Sequence, residues 1–434
     1  MGREASAVPR GTIQHLHDTA ACAVDSRERT VGYSSRCGRA SRALPAHDWA
    51  AQLDFGFSDE DRASRSEVHD FIAREWTPPP DDATEEEAHT VSRAFEPTLA
   101  EHGWLMMAWP TEYGGRGSTH MQQMIYREEA SLAGGPMDVQ GSGMVGPFLM
   151  VHGSEAQKKE FLPPIAKAEV YWAQGFSEPG SGSDLASLQT RAVRDGDDFM
   201  INGQKIWTSR AHHADWIHVL TRTNPEAPKH RGISYFLVDM KTPGIEVRPL
   251  IDMAGNHNFN EVYFEDVRVP ADQMLGEENR GWYIATTLLD FERSGVGMGA
   301  TVRRGLKRIG AWAMEEIPEC FGEARNRNRF ADLQISAEIA RWLSYRVTWM
   351  QSANLIPNHE ASMSKVFGSE VMQDVYRFAV NLAGLVGQRL GPGARLGGEI
   401  PHTYLRSVPY TIAAGTSEIQ RNIIAERGLG LPRP

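Results

Sequence analysis

Apolar residues recur at helical spacing from Phe57 to about Lys167, where Val68, Phe71 and Ile72 share one side of a helix and Glu67, Asp70 and Arg74 the other. Between about Val170 and Asn279 the period shortens to that of strands. The segments are TRAVRD, FMINGQKIW, WIHVLTRT, GISYFLVDM, IEVRPLIDM and FNEVYFEDVRVP. Asp195-Gly196 and Asn202-Gly203 suit tight hairpins, whose central residues need positive φ. Antiparallel strands so spaced predict a small barrel or sandwich. After Gly281 the helical period returns, first at Ile335, Ile339, Trp342, Leu343, Val347 and Met350, then at Val371, Val375, Phe378, Ala379 and Leu382. A glycine-rich loop from Gly384 to Gly398 precedes a last short helix, Ser417 to about Arg427. The fold class is therefore α+β, divided as an N-terminal arm (1–50), an N-terminal helical domain (51–169), a middle β-barrel domain (170–280) and a C-terminal helical bundle (281–434).

Charge and composition remove several function classes. Lys and Arg number 45 against 56 Asp and Glu, a net charge of −11 in 434 residues, which leaves no basic face for a phosphate backbone. No apolar run approaches the roughly 18 residues of a spanning helix, so membrane insertion and nucleic acid are both excluded. Cys22, Cys37 and Cys320 are too few and too scattered for a disulfide framework or a thiolate metal site, and the expected compartment is a reducing cytoplasm. The arm differs from the rest, with seven arginines against four acids before residue 46. Lacking an apolar h-region, it is not a secretory signal; the open alternatives are a disordered extension, a start codon placed too early, or a transit peptide.

Three segments carry candidate chemistry. QGFSEPGSGSD, Gln174 to Asp184, offers hydroxyls and backbone N–H groups in a loop freed by Gly180 and Gly182, a composition suited to ring heteroatoms and phosphate oxygens. KIWTS, Lys205 to Ser209, adds an indole face and two hydroxyls, although a lone strand Trp is more often core. GTSEIQRNIIAERGLGLPR, Gly415 to Arg433, opens a helix at Thr416 or Ser417 with Glu418 in its first turn, either an anion-binding start or an ordinary capped helix. Elsewhere, WPTEYGG (Trp109 to Gly115) reads as a buried turn or a substrate contact. Leu105, Met106, Met107, Met121, Met124 and Met144 read as core or as the lining of an apolar pocket. His212 and His213 would point to opposite faces of an extended chain, so no metal site is expected there.

Taken in this order, the three segments resemble the acyl-CoA dehydrogenase family over about Phe57 to Pro434, and FNEVYFEDVRVP and AGTSEIQRNIIAER are similar to bacterial members, including those of steroid side-chain degradation. The resemblance implies FAD held between the barrel and the C-terminal bundles of two subunits in a tetramer. Gln174, Phe176, Ser177, Gly182 and Ser183 match the family's first flavin loop, and Trp207, Thr208 and Ser209 its second. Thr416 and Glu418 match positions reaching the adenosine part, while Ser183, Asp290 and Arg293 match acyl-CoA contacts. Arg327, in RNRFA, stands near the family's pyrophosphate arginine, though without the glycine of that motif.

The implied reaction is α,β-dehydrogenation of an acyl thioester, carried on CoA or acyl-carrier protein, with electrons passed to an electron-transfer flavoprotein. Most members place the base Glu just before the Gly-Thr of the C-terminal motif, where this chain has Ala414, whose backbone N–H would still polarise the thioester carbonyl. A second family pattern, L-x-x-E-R, is met by LLDFERSG and makes Glu292 the expected base. Its alternative is an exposed charge cluster with Asp290 and Arg293. The family's Gln-x-x-Gly-Gly loop is eroded to Asn381, Gly384 and Leu385. Such eroded contacts suit an α2β2 heterotetramer as well as a homotetramer. Two other readings stay open: a non-catalytic subunit completing another chain's site, and a flavin oxidase or monooxygenase on the same fold.

Overall fold

The computed structural model describes residues 56–81, 83–136, 140–286, 298–391 and 394–432. Helices come first: α1 (Asp59–Glu75), α2 (Glu85–Glu101), α3 (His120–Ala133), α4 (Gly146–His152) and α5 (Glu155–Ala166). Four of them start the same way. Ser58, Thr84, Thr119 and Ser154 each accept from the backbone N–H three residues on, and the side chain at that position returns the bond to the cap. Val68, Phe71 and Ile72 are buried as their spacing requires. Trp109 is buried within the WPTEYGG turn, and its indole donates to the Ser142 carbonyl at 2.8 Å. Met106, Met107 and Met124 are core residues.

Seven strands follow: β1 (Trp172–Gly175), β2 (Arg191–Asp195), β3 (Asp198–Lys205), β4 (Trp216–Arg222), β5 (Ile233–Asp239), β6 (Ile245–Leu250) and β7 (Phe259–Pro270). They form one sheet in the order β1-β4-β2-β3-β7-β6, with β5 on β4. Two features depart from the sequence pattern. β1, four residues of WAQG, lies parallel to β4, so the sheet is not purely antiparallel. Asn202-Gly203 makes no hairpin: it sits inside β3, where the register to β7 shifts between Ile201 and Gly203. Gly203 has φ of 150°, and a Cβ there would lie 2.6 Å from the Thr190 hydroxyl. Only Asp195-Gly196 turns a hairpin, joining β2 to β3 with Gly196 at φ of 65°.

Both sheet faces are covered. Phe148, Leu149, Phe161 and Leu162 from α4 and α5 pack with Trp172, Leu220, Tyr235 and Leu237, while Ile201, Ile217, Phe236 and Val262 form the opposite core. The chain then returns to helices α6 (Met298–Glu316), α7 (Ala324–Ser352), α8 (His359–Ala383), α9 (Glu399–Ser407) and α10 (Ser417–Ile423). Val302, Leu306, Ile309, Leu333, Met372 and Val375 join α6, α7 and α8 around one core. The α7 stripe read from the sequence is covered only in part. Ile335, Ile339 and Trp342 are 60%, 44% and 46% exposed, while Leu333, Ala337, Ala340 and Val347 are buried. Among the described residues no helix is long and apolar enough to cross a membrane.

Candidate functional site

The first two predicted segments meet directly. Gln174 lies on β1, and Phe176 and Ser177 continue from its end. The Ser177 carbonyl accepts from the Ile206 backbone N–H at 2.9 Å, which sets KIWTS beside the first loop. Beneath this contact Lys205 is fully buried, donating to Phe176 O at 3.2 Å and Glu178 Oε1 at 2.7 Å. Glu178 also accepts from the backbone N–H groups of Gln189 and Thr190, at 2.6 and 2.9 Å. Burial pushes the Lys205 ammonium down to about 8, still charged at neutral pH. Burial acts to raise Glu178, but the Lys205 charge and these donors hold it below the usual carboxylate range. A buried, hydrogen-bonded ion pair therefore fixes the root of both loops.

Beyond that root the loops open outward. Gly182 and Ser183 are exposed, and a Cβ on Gly180 or Gly182 would meet nothing within 4 Å. Trp207 takes a left-handed conformation, φ of 60°, and is 54% exposed, with its indole edge-on to Phe259 at 5.7 Å. Thr208 is fully buried and its hydroxyl has no hydrogen-bond partner among the described residues. Asn260, also fully buried, donates to the Thr208 carbonyl at 3.1 Å while Thr208 N–H donates to Asn260 O at 3.0 Å, and Ser209 follows, half-buried. Phe176 caps a second buried cluster, edge-on to His218 and Tyr235.

The third segment is built by α8 and α10. Ala414 and Gly415 are both left-handed, with φ of 53° and 85°. Their carbonyls are held by Gln420 Nε2 at 2.9 Å and Lys365 Nζ at 2.8 Å, respectively. Thr416 caps α10 by accepting from Ile419 N–H, and Glu418 is exposed, its carboxylate stabilised by its own backbone N–H and the Thr416 hydroxyl. Arg327 is exposed at the start of α7 and donates to the Phe321 carbonyl at 2.8 Å. Asp290, Glu292 and Arg293 lie outside the described residues.

Sequence reasoning passed over Glu178, Lys205 and Asn260, the residues that hold the loops. Lys205 stood within the quoted KIWTS, and a lysine at an inward strand position was the available signal. His212 and His213 also differ from expectation. They occupy a short 3-10 turn, Ala211–His213, not an extended strand, so both rings gather on one side, 4.1 Å apart.

A helical domain, a sheet carrying two linked polar loops and a C-terminal bundle ending in a left-handed Ala-Gly turn together define a known enzyme architecture. Residues 58–169, 173–267 and 279–429 match the N-terminal, middle and C-terminal domains of acyl-CoA dehydrogenase. The chain belongs to the acyl-CoA dehydrogenase family, whose members are FAD-dependent flavoprotein oxidoreductases. It is 35% identical to acyl-CoA dehydrogenase FadE26 of Mycobacterium tuberculosis, over 88% of this chain and 99% of that one. Among solved structures, the Tcur3481-Tcur3483 steroid ACAD is similar at TM-score 0.79 and 33% identity, covering 88% of this chain and 100% of that one. The ChsE4-ChsE5 complex from Mycobacterium tuberculosis gives TM-score 0.78 and 34% identity, with the same coverage.

Proposed function

We propose that this chain is an FAD-dependent dehydrogenase of the cytoplasm that converts a bulky, steroid-like acyl-CoA into its 2-enoyl thioester and passes the electrons to an electron-transfer flavoprotein. The observation that carries the reading is the Thr208 hydroxyl, fully buried yet unpartnered among the described residues, beside the exposed Trp207 and joined through Ile206 and Ser177 to the glycine-opened loop. A buried hydroxyl without a partner is costly unless a ligand satisfies it. Those residues fit a flavin edge: hydroxyls and backbone donors for ring heteroatoms, an indole for the ring face, and open space at Gly180 and Gly182 for close approach. Gln174, Phe176, Ser177, Gly182, Ser183, Trp207, Thr208 and Ser209 would hold the flavin half. Thr416, Glu418 and Arg327 would reach the adenosine diphosphate half.

When bound, FAD supplies the acceptor for the hydride that leaves the β carbon. The chain's own work is on the thioester. Ser183, Asp290 and Arg293 hold the acyl-CoA, and the Ala414 N–H polarises the thioester carbonyl, lowering the barrier to loss of the α proton. Glu292 takes that proton, the role Ala414 lacks a side chain to perform. The substrate class rests on similarity to a chain described as a steroid ACAD.

A second reading has its own support. Two of the similar solved structures, Tcur3481-Tcur3483 and ChsE4-ChsE5, are complexes of two differently named chains. With Ala414 at the usual base position, this chain would be one half of an α2β2 enzyme.

The test is the full chain purified alone. Bound flavin absorption, substrate-dependent bleaching with a steroid side-chain thioester, and reoxidation by electron-transfer flavoprotein are expected. Glu292→Gln should keep the flavin and lose about 10²–10⁴-fold in turnover. A colourless chain that gains flavin only on co-expression with a related subunit would favour the split site, and unchanged turnover in the variant would remove Glu292 as base.

A further inference from the structure

A histidine cluster outside the catalytic loops is unused by the reaction. Glu86 and His89 are three residues apart on the first turns of α2, so they share one helix face. Facing them is the Ala211–His213 turn. His213 Nε2 lies 2.7 Å from Glu86 Oε1, and the His89 and His213 rings stack at 4.7 Å. His89 is 8% exposed, and its Nε2 has no hydrogen-bond partner among the described residues. One ligand atom from each of Glu86, His89 and His213 falls within 4.8 Å of the other two. His212 flanks the group, its Nε2 3.8 Å from Glu86 Oε2 and without a hydrogen bond to any described residue.

We propose that Glu86, His89 and His213 form a binding site for a divalent transition ion of the zinc class. Two imidazoles and one carboxylate are ligands such an ion favours, and three protein ligands leave a position for water or for His212. Ligand atoms must close to about 2.0–2.2 Å from the ion, which would take the place of the Glu86–His213 contact at the exposed edge of the cluster. An imidazole ligates through an unprotonated ring nitrogen, and His89 Nε2 has no hydrogen-bond partner among the described residues. Arg210 opposes a cation, but its guanidinium is directed to Glu85, 3.6 Å away, and to the Asn258 side chain. Glu85, Glu86 and Glu87 place three acids in the same helical turn.

An ion here would do mechanical work. Its ligands come from α2 of the helical region and from the turn after Trp207, Thr208 and Ser209. Behind the ligands, His212 Nδ1 lies 3.2 Å from Asn260 Oδ1, and Asn260 holds the Thr208 carbonyl. Coordination would clip the helical domain to the sheet at the edge of the Thr208 turn. The site does not depend on what the turn itself binds.

Equilibrium dialysis of the full chain, first stripped with chelator, against Zn²⁺ tests this, with metal content read by elemental analysis. The chain carries other histidines and cysteines, so the comparison with variants decides. About one ion per chain is expected, with affinity at least tenfold weaker in His213→Asn and in Glu86→Gln. Both altered residues are exposed, so folding should persist. Zn²⁺ should also raise the thermal midpoint of the unaltered chain and not that of either variant. Absence of binding, or equal affinity and equal thermal response in the variants, would overturn the site.

Discussion

His218 is a single residue whose environment makes a measurable claim. It sits at full burial on β4, paired in register with Gln174, and its Nδ1 lies 2.7 Å from the Tyr235 hydroxyl. Burial alone pushes its pKa from 6.5 down to about 3. The unfolded chain therefore takes up a proton between those values that the folded chain refuses. Stability from this residue is complete above about pH 6.5 and is lost as pH falls toward about 3, at up to about 1.4 kcal/mol per unit. Replacing His218 by Gln removes the titration. Urea unfolding at about pH 7 and pH 5 should give a smaller acid loss in His218→Gln than in the parent, by up to one proton's slope. Identical slopes would mean that His218 is charged or accessible in the folded state. Because Phe176 lies edge-on over this cluster, the same protonation would disturb the first loop from beneath.

At the scale of elements, period was legible and facing was not. Five of the seven strands, β2 and β4 to β7, fall inside segments whose period marked them, and β3 begins one residue before FMINGQKIW. β1 escaped because four residues carry too little alternation, and its partner β4 is 40 residues away. Asn202-Gly203 misled for a related reason: the dipeptide gives positive φ equally to a hairpin and to a bulge, and only the pairing with β7 decides. For α7 the period marks a helix, but helical spacing cannot tell which of two apolar faces is covered within one chain, and Ile335, Ile339 and Trp342 lie exposed. Exposed Ile335, Ile339 and Trp342 make a contiguous stripe of the kind that marks an interface, in keeping with the tetramer expected from the family. Ile339→Glu combined with Trp342→Ser should lower the sedimentation coefficient from that of an oligomer to that of a smaller species, with the helical circular dichroism retained. An unchanged coefficient would place the assembly surface elsewhere.

At the scale of the whole molecule, the two polar loops that adjoin at Ser177 and Ile206 were legible as segments because each is contiguous, whereas the residues that dock the domains come from distant parts of the chain. Glu128 of α3 is 1% exposed and collects Arg65 of α1 at 2.7 Å, Arg303 of α6 at 3.2 Å, Arg341 of α7 at 2.6 Å and the Tyr345 hydroxyl at 2.6 Å. No periodicity in the sequence could announce a carboxylate whose partners lie on three other helices. Its energetics follow from burial. Desolvation acts to raise the Glu128 pKa, but Tyr345, Arg65 and Arg341 outweigh it and hold the carboxylate below its ordinary 4.5. The pairing therefore contributes in full above about pH 4.5 and is lost as pH falls through the lower, folded value. Glu128→Gln leaves Arg65, Arg303 and Arg341 facing one another without the buried charge that joins them, a change that costs about 3–5 kcal/mol. Thermal unfolding at neutral pH should fall accordingly, and limited proteolysis should separate the N-terminal helices from the C-terminal bundle sooner than in the parent. Because the variant has no Glu128 charge to lose, its stability should fall less than the parent's between about pH 4.5 and pH 3. A variant as stable as the parent at neutral pH would mean that the apolar contacts of α3 with α6 and α7 suffice to dock the two helical domains, leaving Glu128 only to satisfy the arginines around it.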